Sequence, residues 1–337
     1  MLNLALVAFP LAPAAVPSET RLAWKLHEGE VLRYRIIQDI RQEMSPMGMQ
    51  TNSQVGQVLK EKVQGVAPDG TAKLEVTWEA LRYRLDSPMG GGLDYDSTKD
   101  STDAPAGPMK GLSKVVGSVF RLEMKPTGEI VALSGIDEVM TKITSGGDLG
   151  PMGPMLSKSF NDASMKRALE TVLLPEKALT DGETWKREAQ FDVPALGKLK
   201  IDFDFKLDGT EMVAGAKAAK VGVLYSMSLA GGKPDMTGMP GADQFDIDLS
   251  MNDAKGEGTI HFSPDLGRMV KTQLDSDMDM AMVLKPKGEA KADAGEGMKM
   301  GIVIHQKITT TLLGASDPAF EADAKPAETK KPAEPKK

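Results

Sequence analysis

A mainly β fold (β-rich α+β) is predicted for this 337-residue chain: two similar antiparallel curved sheets or a partial barrel, with two helices inserted between the halves. Three observations predict it. Hydrophobicity alternates with period two over long stretches, which marks antiparallel strands with one buried and one wet face. A hairpin pattern occurs twice, as residues 120–125, Pro126-Thr127-Gly128 and 129–133, and again as 259–262, 263–267 and 268–272. Helical spacing is confined to the stretch after the first hairpin.

Taken in order, residues 1–17 read as a signal peptide. An apolar run, 4–9, leads into Leu11-Ala12-Pro13-Ala14-Ala15, a short hydrophobic segment ending in small residues, although Met1-Leu2-Asn3 carries no basic residue. The first β half with the helices is expected over 18–174. In it Leu32, Tyr34 and Ile36 alternate with Arg33, Arg35 and Ile37, and 71–85 forms one long strand with Val76, Trp78 and Ala80 on one side. After the hairpin, Ile136, Val139, Met140 and Ile143 fall at i, i+3, i+4 and i+7 behind Ser134 as cap, so they form one helical face. A second helix is predicted over 162–173, bringing Met165, Leu169, Val172 and Leu173 to the core before Pro175 stops it.

The second β half is expected over 175–314. Ile201, Phe203, Phe205 and Leu207 alternate with Asp202, Asp204 and Lys206; Phe245 to Met251 and Leu274 to Met282 alternate with aspartates in the same way; 302–312 supplies a last strand. From Ala315 the composition shifts to Ala, Lys, Glu and Pro, so 315–337 is predicted to be a disordered tail.

Gly29-Glu30-Val31-Leu32-Arg33-Tyr34, the Gly128-Glu129-Ile130 hairpin feeding a helix, and the Pro175-x6-Gly182-x-x-Trp185 segment together resemble an uncharacterised family of exported bacterial β-rich proteins, a domain of unknown function. The resemblance implies structural motifs and brings no catalytic residues. A more distant likeness, in architecture alone, is to periplasmic lipoprotein carriers, whose curved sheet is plugged by helices.

Composition excludes several functions. A net charge of -7 and the lack of clustered Lys and Arg argue against nucleic acid, and 5% aromatics leave few stacking surfaces. With no cysteine there is no disulfide, thiolate site or cysteine nucleophile. No apolar run is long enough for a transmembrane helix. Catalytic motifs are missing, and of the three histidines, His27, His261 and His305, the latter two lie in predicted strands, so no enzyme and no cofactor is expected.

Two sets of candidate site residues follow. The 22 methionines include Met44-x-x-Met47-x-Met49 and Met236-x-x-Met239, spacings suited to thioether ligation of Cu(I), the soft ion that Met favours. A ligand cavity behind Ile136, Val139, Met140 and Ile143 is the other. The aspartate stripes read as solvated strand faces with Lys and Arg interleaved from neighbouring strands. The expectation is a non-enzymatic exported envelope protein, periplasmic or extracellular, that serves as a binding or structural module for an apolar ligand or a protein partner. The alternative is a methionine-based Cu(I)-binding protein of the periplasm.

Overall fold

The computed structural model describes residues 19–88, 92–99, 111, 113–144, 161–170, 174–193, 197–229, 244–287 and 298–320. Among the described residues there are twelve strands: β1 (Val31–Ser45), β2 (Met49–Val66), β3 (Ala72–Asp86), β4 (Leu93–Asp96), β5 (Val119–Met124), β6 (Ile130–Ser134), β7 (Thr184–Val193), β8 (Gly197–Val213), β9 (Ala216–Leu229), β10 (Phe245–Ser263), β11 (Arg268–Pro286) and β12 (Met298–Leu313). Helix α1 (Ile136–Thr144) and helix α2 (Asp162–Leu169) lie between β6 and β7 in the chain.

The strands form a single antiparallel sheet in the order β6-β5-β3-β2-β1-β12-β11-β10-β9-β8-β7, with β4 beside β3. The two predicted halves are meanders joined where β1 pairs with β12, from Arg33–Leu313 to Ser45–Gly301. The sheet does not close, because β6 and β7 do not pair. Helix α2 lies against both of these edge strands and so spans the gap between them.

One face of the sheet is apolar. It carries two buried clusters at the same end of the strands. The first gathers Leu32, Tyr34, Val63, Leu74, Val76, Phe120 and the four apolar residues of α1; the second gathers Phe203, Phe205, Leu207, Val221, Val223, Ile260 and Phe262. Residues 19–30 run across both as a strap. Leu22 belongs to the second cluster, Leu26 to the first, and Trp24 packs against both, its ring edge-on to Phe262 with centroids 5.8 Å apart. The repeated hairpins meet this strap at consecutive residues. Trp24 N–H donates to Pro126 O (2.8 Å) in the first turn, and Lys25 N–H donates to Gly267 O (2.9 Å) in the second. Gly267 has φ +61°, and any Cβ there would collide with Lys25, so the second turn requires glycine.

Four expectations need correction. Ser134 ends β6 and does not cap α1; the first helical bond runs from Val139 N–H to Gly135 O, and the Ile136 N–H donates to the Asp162 carboxylate at 2.9 Å. Helix α2 stops at Leu169, which is 40% exposed rather than in the core; Val172 and Leu173 lie outside the described residues. A bulge at Glu79 flips the side-chain alternation of β3, so Ala80 faces away from Val76 and Trp78. Finally, the tail does not begin at Ala315: Phe320 is 7% exposed and packs with Val58, Ala80 and Leu313 on the other face of the sheet. Residues 1–17 and 321–337 lie outside the described residues.

Candidate functional site

The geometry of the apolar face follows from element lengths. The helix α1, at nine residues, is about 14 Å long, whereas the 19-residue β10 and β11 each run about 60 Å. The helices and the strap therefore cover only the end of the face nearest the two clusters.

At the opposite end, register places a second set of apolar side chains on the same face. Met44 and Met49 are direct partners at the tip of the β1–β2 hairpin. Ile302 is opposite both Met44 and Met280, Met280 is opposite Met251, and Met282 is opposite Met300 and Leu249. Leu284 faces Met298 and Ile247 beyond them. Met280 is buried and Met298 is exposed; the others are partly exposed. None of these residues belongs to the buried clusters. The result is a partly exposed apolar band, rich in methionine, crossing β2, β1, β12, β11 and β10.

The opposite, polar face is curved into a trough of about 1360 Å³ crossing β4, β3, β2, β1, β12, β11, β10 and β9. A second hollow of about 850 Å³ adjoins it over β7 to β11, sharing Leu224, Glu257 and Asp275. Charged side chains line both. The aspartate stripes lie on this face and are met by bases, as their sequence suggested: Lys186 is 2.7 Å from Asp204, Lys285 is 2.7 Å from Asp248, and Lys307 is 3.9 Å from Asp275. His305 Nδ1 lies 2.5 Å from Asp277, and His261 Nε2 lies 2.5 Å from Glu211. The lysine pairs are solvent-exposed and contribute little to stability, whereas His261 is mostly buried, at 13% exposed. Among the described residues, no three His, Asp or Glu side chains are placed together to hold a metal ion.

Of the predicted site residues, Ile136, Val139, Met140 and Ile143 are all buried, between 2% and 8% exposed, and form part of the first cluster. None of them lines the large trough. Met44 and Met49 are strand residues; Met47 lies in the turn between them and is 55% exposed. Met236 and Met239 lie outside the described residues. Sequence reading missed Met251 and Met300 as neighbours of Met280 and Met282, because only the register brings them together.

No described helix is long and apolar enough to cross a membrane. No curated protein matches the chain. Among solved structures, one of lipovitellin, concerned with its lipid–protein interactions, aligns at 13% identity and a TM-score of 0.43 over 88% of this chain and 26% of that one; the present chain thus spans about a quarter of it. A protein of YmcC-like fold from Bacteroides fragilis, described as exported, aligns at 12% identity and a TM-score of 0.22 over 84% of this chain and 97% of that one. DynF from the dynemicin pathway of Micromonospora chersina aligns at 8% identity and a TM-score of 0.19 over 89% and 92%. Residues 69–214, from the turn before β3 to the end of β8 and including both helices, match the model of a family of unknown function, DUF6263.

Proposed function

We propose that this protein is a non-enzymatic binding module, exported to the periplasm or cell surface, that holds an apolar ligand against the methionine-rich end of its apolar face. The observation that carries the reading is the band itself. Met44, Met49, Met251, Met282, Met300, Leu249 and Ile302 are partly exposed, contiguous in register, and covered by neither helices nor strap. Contiguous apolar surface of this kind marks an interaction site in a soluble protein. Methionine, with three rotatable bonds and a polarisable sulfur, adapts to irregular apolar shapes. The band presents thioether and aliphatic side chains, with Gln42 and Thr51 as the polar neighbours beside Met44 and Met49, so it suits acyl chains better than a ligand that needs many directional hydrogen bonds.

The non-enzymatic part of the reading rests on the histidines. His261 and His305 are engaged by carboxylates on the polar face, and His27 is 79% exposed beside Glu30. Export rests on the leader-like residues 1–17.

A fluorescent fatty acid titrated into the full chain tests the reading. Binding that is at least tenfold weaker in Leu249→Asp/Met282→Asp, with the fold retained by circular dichroism, is expected. Equal binding by the variant, or none by the wild type, overturns it.

A further inference from the structure

We propose that the methionines at the hairpin end of the band form a thioether site for Cu(I), with Met44, Met49 and Met300 as the ligands and Met282 alongside. The site lies on the same face as the apolar ligand but does not depend on that reading.

Register carries the argument. Met44 and Met49 are directly opposed across β1 and β2, which sets their Cβ atoms about 5 Å apart. Ile302 is opposite Met44, so Met300, two residues along β12 on the same face, is the diagonal neighbour of Met44, at about 7–8 Å. Met282 is directly opposite Met300. Flexible thioether arms from three adjacent strands therefore converge on one patch of the sheet.

The chemistry of the patch selects a soft ion. Among the described residues no carboxylate shares this face beside Met44, Met49, Met282 and Met300, and the chain has no cysteine to compete. Thioether sulfur prefers Cu(I) to harder cations such as Zn²⁺, Ca²⁺ or Mg²⁺. The residues also fill no gap. They belong to none of the buried clusters and are partly exposed, so an ion can reach them. Where a pleated face needs only apolarity, β-branched residues suit it better, as Ile302 and Ile304 show on the same strand. The predicted ligand set is thereby revised: Met47 stays in the turn, and two strand methionines distant in sequence take its place.

The test uses the full chain and two probes. Cu(I), kept reduced under anaerobic ascorbate, is competed against a chromophoric Cu(I) chelator; the wild type should withdraw one equivalent. The triple variant Met44→Leu/Met49→Leu/Met300→Leu should bind at least 100-fold more weakly while its fold, read by circular dichroism and urea midpoint, stays that of the wild type. Ag(I) added to protein carrying ¹³C-methyl methionine should shift the Met44, Met49, Met300 and Met282 signals first, a readout that needs no variant. Failure of the wild type to compete, equal binding by the triple variant, or Ag(I) shifts confined to other methionines overturns the proposal. Loss of fatty-acid binding with intact Cu(I) binding would instead count only against the apolar-ligand reading.

Discussion

Glu61 sits on the apolar face of β2, between Leu59 and Val63 and opposite Leu32 and Val76. Loss of water pushes its carboxyl up from 4.5 to about 7. The hydroxyl of Tyr34, raised first by its own burial and then by the Glu61 charge, donates to Met269 O at 3.1 Å. Because the folded carboxyl holds its proton above the unfolded value, stability is greatest below about pH 4.5 for this group and falls as pH rises to about 7. The Glu61→Gln variant should remove that slope and exceed the wild type by roughly 3 kcal/mol above pH 7, read from urea midpoints across pH; a parallel slope in both proteins would contradict the assignment. Phe320 makes a second test. Its ring occupies the space over Gly56, where a Cβ would lie 2.9 Å from it, and the Arg82 guanidinium sits 4.7 Å from the ring centroid. Phe320→Ala should cost about 3 kcal/mol in chemical denaturation. The lone aromatic of a polar, Ala- and Pro-rich stretch gave no periodic signal, so composition placed the tail boundary ahead of a residue that packs against the sheet.

At the scale of elements, period-two alternation identified β1, β8, β10, β11 and β12 because their apolar residues recur without interruption. It was silent on β2, where Gly56 and Gly65, Gln54 and Gln57 and a bulge at Gln64 break the pattern, and it misplaced Ala80 because one extra residue in β3 inverts parity. The α1 cap was illegible for another reason. Ser134 is the local candidate, yet the carboxylate that satisfies Ile136 N–H comes from Asp162, 26 residues on. Asp162→Ala should therefore destabilise the protein by about 1 kcal/mol in thermal or urea unfolding, whereas Ser134→Ala should be near neutral. The reverse ranking would restore the local cap.

For the whole molecule, two meanders share one continuous sheet, and the strap stitches their matching turns through Trp24 and Lys25. Both halves should then unfold together, with near-ultraviolet and far-ultraviolet signals tracing one coincident urea transition. Two separated transitions would mean independent halves. Among the described residues, no helix or strap covers the far end of the apolar face. The alternation of Met278, Met280 and Met282 marked that face in the sequence, but its breadth could not be read there, since strands far apart in the chain supply it. The central claim is that this open band holds an apolar ligand. Native mass spectrometry of the protein purified from its own host addresses it most directly: the account predicts a bound species of lipid mass, released by organic solvent and lost in Leu249→Asp/Met282→Asp, whereas a mass equal to the bare chain in every gentle condition would contradict it.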